Sequence, residues 1–306
     1  MQPGSTQELI LLEDQTLRDG LQTESRIVSL DEKLLIFNML KKAGIPRTQV
    51  GSFVHPKIVP QMADTDALIQ AIGKQENPLV TALVLNDKGL ERALNCGISH
   101  VSMSVSVSDT HSRKNTGRPA AEALASMTGL IRTALASGLE VRAGLQSAFG
   151  CVYEGAIPEE TVLSAAEKMA RTGVKEINLA DSAGMATPPA IRKMVRRIAR
   201  EFPEFRISLH LHNTRGLGLA NLFAGYEAGV RSFDVCTGGL GGCPFIKGAT
   251  GNVPTEEAVN LFDTLGVDTG IDLSSLDEIV SFLETILGRR LPTRMKPVTA
   301  SRQHHD

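Results

Sequence analysis

Thr16-Leu17-Arg18-Asp19-Gly20-Leu21-Gln22 follows the first apolar run of the chain, Leu9–Glu13, and this turn separates two folds. A doubly wound nucleotide-binding sheet would carry G-x-G-x-x-G here, because glycines let the backbone approach a pyrophosphate at a helix N-terminus. This turn has one glycine, Gly20, and an Arg-Asp pair instead. Working outward, short apolar runs recur at Leu9–Glu13, Thr48–Phe53, Leu79–Leu85, His100–Val107, Leu139–Leu145, Glu176–Ala180, Arg206–His212 and Ser232–Cys236. They are rich in Val, Ile and Leu and of strand length. Amphipathic helical stretches lie between them: Asp31–Ala43, Lys88–Asn95, Ala120–Ala136, Glu159–Arg171, Pro188–Glu201, Gly218–Ala228 and Thr255–Leu265. Strand–helix alternation implies parallel pairing. Eight such units in roughly 265 residues predict an α/β fold closed as a single (β/α)8 TIM barrel. An additional C-terminal helix, Ser274–Leu287, is expected outside the ring. No low-complexity linker divides the chain, so residues 1–306 read as one domain.

Composition narrows the function. Among 306 residues, 32 Lys+Arg against 34 Asp+Glu give a formal charge of −2, without the basic excess of a nucleic-acid binder. Tryptophan is absent and aromatics are 4%, so a base-stacking surface is not expected. No apolar run approaches the ~18–20 residues that span a bilayer, and the polar start does not read as a secretory signal. Cys96, Cys151, Cys236 and Cys243 form no C-x-x-C pair, which argues against structural zinc and a disulfide framework. A reducing, cytoplasmic location is expected.

Function in such a barrel sits at the C-terminal strand ends. The seventh strand, Ile207-Ser208-Leu209-His210-Leu211-His212-Asn213, has a period-two pattern. Ile207, Leu209 and Leu211 share the face toward the helices, while Ser208, His210 and His212 point inward. Two imidazoles on one face at a barrel mouth make a natural start to a metal site, with a pair of hydrogen-bonded core histidines as the competing reading. Ring closure makes the eighth strand a neighbour of both the seventh and the first. Asp19, His210, His212 and Asn252 are therefore expected to converge. Two nitrogens and two oxygens, one of them anionic, suit a divalent cation such as Mg2+ or Mn2+. The loop Gly238-Gly239-Leu240-Gly241-Gly242-Cys243-Pro244 lacks the G-K-[ST] of a phosphate loop. It reads either as a flexible connection or as a lid that carries Cys243 over the metal.

Together these segments resemble the 3-hydroxy-3-methylglutaryl-CoA (HMG-CoA) lyase family, within the wider group of metal-dependent lyase and Claisen-condensing barrels. The marks are Thr16–Gln22, Ser52-Phe53-Val54-His55-Pro56-Lys57 with Val59-Pro60-Gln61-Met62, Gly150-Cys151-Val152-Tyr153-Glu154-Gly155, His210–Thr214, and Gly239–Pro244 through Gly251-Asn252. The resemblance covers nearly the whole chain. It implies cleavage of a 3-hydroxy-3-substituted glutaryl-CoA to acetyl-CoA and a 3-oxo acid such as acetoacetate. It implies metal binding by Asp19, His210, His212 and Asn252, an electrophilic role for Arg18, a lid thiol at Cys243 and an active-site acid at Asp181. Gln22 and Gln49 are the substrate-binding candidates. An acyl-CoA partner and a homodimer are expected.

Three positions depart from the family pattern. Gln49 stands where the lyases carry a glutamate, and an amide cannot serve as a carboxylate base. Either the base lies elsewhere, with Asp181 the leading candidate, or the substrate differs. His111, in Ser108-Asp109-Thr110-His111, matches condensing relatives better, and Ser25 replaces a basic residue, with Arg26 adjacent. The alternative reading is accordingly a related aldolase or acyl-CoA condensing enzyme acting on a 2-oxo acid. A catalytically silent acyl-CoA or metal binder is the reading from another class.

Overall fold

The structure, a computed structural model, describes residues 9–241 and 251–295. Its strands are β1 (Leu11–Asp14), β2 (Arg47–Ser52), β3 (Leu79–Leu83), β4 (His100–Ser106), β5 (Glu140–Gln146), β6 (Glu176–Asp181), β7 (Arg206–Leu211) and β8 (Ser232–Val235). They pair in parallel and in chain order as a closed barrel. The ring closes where Leu11–Asp14 run beside Ser232–Val235. Parallel neighbours need a crossover, and helices supply each one. These are α1 (Leu30–Lys42), α2 (Thr65–Ile72), α3 (Asp87–Asn95), α4 (Asp109–Thr116), α5 (Ala120–Ala136), α6 (Glu159–Ala170), α7 (Pro188–Glu201) and α8 (Gly218–Glu227), with α9 (Thr255–Thr264) and α10 (Leu273–Leu287) after β8. The predicted barrel and C-terminal helix are thus both present. No helix among the described residues is long and apolar enough to cross a membrane.

Local chemistry explains the element ends. Ser29 and Glu32 form a reciprocal capping box at the start of α1. Asp272 caps α10, and its backbone N–H donates to Ala43 O at the end of α1, which ties the last helix outside the ring. Outward-facing Val141, Ala143 and Leu145 of β5 are buried under the helices. On β7, Leu209 lies so close to α8 that a Cβ on Gly225 would meet its Cδ1 at 2.4 Å.

Two helices have no counterpart in the sequence reading. Asp109–Thr116 (DTHSRKNT) contains no apolar residue, so periodicity has nothing to detect. Ser108 nucleates it by accepting from His111 N, and His111 is buried in this helix. The eight residues of α2 are too few for a helical period to stand out from the preceding loop.

The barrel interior is the larger surprise, because bulky aliphatic layers are the norm there. Here charges meet across the ring. Arg142 donates to Asp234 Oδ1 at 2.6 Å and Glu13 Oε1 at 2.7 Å. Arg47 grips Glu176 through two bonds of 2.6 and 3.1 Å and lies 2.8 Å from Glu13 Oε2. Replacing such buried pairs with apolar residues is often neutral for stability, so their value is sought in what they position.

Candidate active site

The mouth is built from β1 and β7 outward. After Asp14 the chain makes one wide turn, with Gly20 N donating to Gln15 O at 3.0 Å and Leu21 N to Thr16 O at 2.9 Å. Such i to i−5 turns often mark functional sites. Buried Leu17 and Leu21 anchor it, and a Cβ on Gly20 would approach Cys236 Sγ at 3.0 Å and Leu240 Cβ at 3.1 Å. The turn therefore packs against the exit of β8 and presents Arg18 and Asp19 inward.

On β7, His210 Nδ1 meets Asp234 Oδ2 at 3.1 Å. Its Nε2 faces His212 Nε2 at 3.1 Å. Asp19 Oδ2 lies 3.9 Å from each of those nitrogens. The segment after the glycine-rich loop returns alongside β7: Asn213 N donates to Gly251 O at 2.8 Å and Val253 N to Leu211 O at 3.3 Å. That bridge sets Asn252 beside His212, with Asn252 Nδ2 donating to Asp19 Oδ2 at 2.8 Å and Leu240 O at 3.0 Å. The four residues expected to converge do so.

The fit to a cation rests on three features. Two imidazole nitrogens face each other with a carboxylate beside both, within a cluster of potential ligand atoms no more than 4.8 Å apart. Adjacent ligands around an ion with bonds of ~2.1 Å stand about 3 Å apart, close to the separation of the two Nε2 atoms. Asn252 Oδ1 is buried without a hydrogen-bond partner among the described residues, and a buried lone acceptor is costly unless something uses it. Electrostatics agree. Burial acts to raise the Asp19 carboxyl, but Arg18, His210, His212 and Asn252 hold it well below the usual carboxylate range. Burial, helped by His210 and Arg18, pushes the His212 imidazole down to about 4, so it is a neutral donor at physiological pH. These residues could hold a divalent metal.

Arg18 is fixed at three points. Its Nε donates to Gln49 Oε1, its Nη1 to Asp19 Oδ1, and its Nη2 to Gln15 Oε1 at 2.8 Å. Gln49 is fully buried, and its Nε2 reaches Glu13 Oε1 at 3.4 Å. This corrects its expected place against substrate: Gln49 sits beneath Arg18 and orients it. Gln22 Nε2 donates to Asp19 Oδ1 at 2.7 Å, so it too braces a mouth residue. Asp181 also departs from expectation. Its oxygens accept Met185 N at 2.8 Å and Ala186 N at 3.0 Å, and it is fully buried, geometry that suits holding the loop after β6 better than meeting a substrate. Burial raises its carboxyl to about 6 despite those bonds. Cys243 lies outside the described residues.

Asp234 and Arg142 escaped the sequence reading. The usable signal was the alternation Phe233, Asp234, Val235, which turns an acid inward beside the histidine strand.

Residues 10–283 match the HMGL-like family. The chain is 39% identical to an (R)-citramalyl-CoA lyase of Chloroflexus aurantiacus, covering 93% of each. It is 35% identical to the hydroxymethylglutaryl-CoA lyase YngG of Bacillus subtilis, over 90% of this chain and 93% of that one. An HMG-CoA lyase from Acinetobacter baumannii, solved with coenzyme A and 3-methylmalate, superposes with a TM-score of 0.91 at 35% identity and 96% coverage of both chains. The closed ring, the Asp-His-His cluster at its mouth and these full-length likenesses lead to one conclusion: the chain belongs to the HMGL-like family and is an acyl-CoA lyase.

Proposed function

We propose that this lyase is divalent-metal-dependent and splits a coenzyme A thioester bearing a tertiary hydroxyl on its third carbon into acetyl-CoA and an oxo acid. HMG-CoA, which would give acetoacetate, is the reference substrate. The observation that carries this reading is the pair of Nε2 atoms 3.1 Å apart beside Asp19, with the unpartnered Asn252 amide oxygen close by. Asp19, His210, His212 and Asn252 would hold the metal, and Mg2+ or Mn2+ fits the mixed nitrogen–oxygen set. When bound, the ion would act as a Lewis acid toward the substrate hydroxyl and a neighbouring oxygen.

The rest of the work falls to the chain's own groups. Transfer of the hydroxyl proton to water at the open mouth lets the bond between the second and third carbons break, leaving a carbonyl on one fragment and an enolate on the other. Arg18, held by Gln15, Gln49 and Asp19, presents a guanidinium that cannot turn away from the mouth. A fixed cation of this kind stabilises the developing oxyanion without reorganising. Asp234 keeps a proton on His210 Nδ1 and so leaves Nε2 free to ligate. Asp181 fixes the loop after β6. Return of a proton to the acetyl carbon is assigned to Cys243 on the resemblance alone.

The names of the relatives suggest more than one substrate, since a citramalyl-CoA lyase and HMG-CoA lyases match alike. The test supplies each thioester with Mn2+ or Mg2+ and measures acetyl-CoA together with acetoacetate or pyruvate. Release that stops on chelation and returns with metal is the expected result. Equal turnover with and without chelator refutes the metal requirement. Absence of release from both thioesters, with thiol release from acetyl-CoA plus a 2-oxo acid, would favour the condensing reading.

A further inference from the structure

Inward positions on β4, β5 and β6 can be assigned from their bonds. Arg142 Nε donates to Ser102 Oγ at 3.3 Å, so Ser102 and Arg142 face the interior. Ser104, Ser106, Gly144 and Gln146 follow on the same faces by the period of two. On β6, Asn178 faces inward, because its Nδ2 reaches Ser208 Oγ at 3.0 Å and Asp234 Oδ2 at 3.4 Å. In register, Ser104 pairs with Gly144, and Gly144 with Asn178, while Ala180 pairs with His210.

This wall is made of small side chains. Gly144 has none, and Ser104 and Ala180 carry one or two heavy atoms. Ser102 and Asn178 sit well below the strand ends, yet they keep 6% and 7% of their surface exposed, against 0% for outward Val101 and Met103. Ser104 and Gln146 are more open still. The inner wall is therefore recessed at Gly144, a hollow separated from the strand that carries His210 by β6 alone.

Among the described residues its lining is polar but offers no free cation. Arg142 is the one guanidinium on these three inner faces, and it is committed to Asp234, Glu13 and Ser102. Glu13 and Asp234 behind it would repel a second carboxylate. Hydrogen-bonding capacity is nevertheless available: Gln146 Nε2 donates to Ser104 Oγ at 3.0 Å, which leaves the Ser104 hydroxyl proton to be given elsewhere. A site shaped like this suits a neutral group that accepts and donates.

We propose that the hollow over Gly144, walled by Ser104, Gln146 and Asn178, receives the substituent on the alcohol-bearing carbon and selects an uncharged, hydroxylated group larger than methyl. The assignment rests on the thioester-lyase reading above and names the substrate class of that site. Gly144 is a poor probe, because a Cβ there would meet Ser104 Cβ at 2.8 Å. Ser104 and Gln146 are the better ones.

The experiment compares kcat/KM for three 3-hydroxyglutaryl-CoA thioesters whose third carbon bears methyl, ethyl or hydroxymethyl. For the wild-type enzyme with Mn2+, hydroxymethyl is expected to exceed ethyl by about fivefold, the worth of one net hydrogen bond. Ser104→Ala should erase that ratio. Ser104→Val should lower ethyl about tenfold and hydroxymethyl about fiftyfold, the size penalty with the lost hydrogen bond added, while methyl stays within about threefold, as a filled pocket discriminates by size. Gln146→Leu should lower the hydroxymethyl-to-ethyl ratio in the same direction. Turnover of the methyl thioester alone by the wild type overturns the pocket but leaves the lyase reading standing. An equal fall for all three thioesters in Ser104→Val, matched by Gln146→Leu, marks a structural role and also overturns it. No release from any of the three removes the lyase reading on these glutaryl thioesters and the pocket assignment with it.

Discussion

Replacing Asp234 with asparagine tests the link between the buried charge network and the metal cluster. Asp234 Oδ1 accepts Arg142 Nη1 at 2.6 Å, and Oδ2 faces His210 Nδ1 at 3.1 Å. Burial acts to raise this carboxyl, but the Arg142 guanidinium and the His210 contact hold it below its usual range, so it is an anion with two acceptor edges. Asparagine keeps the shape and offers only one oxygen. If that oxygen stays with Arg142, the amide NH2 turns to His210 Nδ1, which must then accept. The imidazole proton moves to Nε2, the atom facing His212 and Asp19. Before ligating, His210 must reverse that tautomer and leave an amide unsatisfied. Loss of such an outer partner typically costs 10–100-fold in metal affinity, or about 1.4–2.7 kcal/mol. Calorimetric titration of the metal-free protein with Mn2+ measures this directly, and the melting temperature without metal checks that the fold survives. A folded Asp234→Asn variant that binds Mn2+ as tightly as the wild type would refute the reasoning.

Three further outcomes follow from the same geometry. Arg18→Lys keeps the charge but not the fork that reaches Gln15, Gln49 and Asp19, so kcat should fall at least about 100-fold while Mn2+ affinity changes little; a wild-type rate removes Arg18 from oxyanion stabilisation. At Gly241 the backbone is left-handed (φ +97°) and a Cβ would meet Asn252 Nδ2 at 2.6 Å and Asp19 O at 3.1 Å, so Gly241→Ala should displace Asn252 and weaken Mn2+ binding, and an unchanged titration would contradict this. Burial pushes the Glu256 carboxyl, which accepts from Gly238 N, up to about 7. Its neutral form favours the fold, so that contribution is complete below the unfolded value near 4.5 and is lost as pH rises through 7. The melting temperature of Glu256→Gln relative to wild type should therefore climb between pH 5 and pH 8, and a difference that stays flat with pH would count against it.

Much of the site is legible in the sequence. His210 and His212 announce themselves because strand alternation puts both on one face, and Asp19 because it sits in the turn that leaves the first strand. Gln49 and Asp181 were readable as residue types but not as contacts. What decides their roles is whether their polar atoms are already spent, and that depends on Arg18 and Glu13 for the one, and on the backbone of Met185 and Ala186 for the other. The helix α4 escaped because it has no apolar residue to set a period.

The linear chain determined the barrel, since eight strand–helix units admit few parallel arrangements and local periodicity carries that information. It also determined the donor set at the mouth, because ring closure brings strand ends together whatever the side chains do. Only the tertiary structure decided that the interior is a charged lattice. Arg142 meets Asp234 across 92 residues of chain and Glu13 across 129, and nothing local in the sequence marks a partner that distant. Such pairings form because a guanidinium buried in a ring must find carboxylates there, and which ones it finds is set by strand tilt and register.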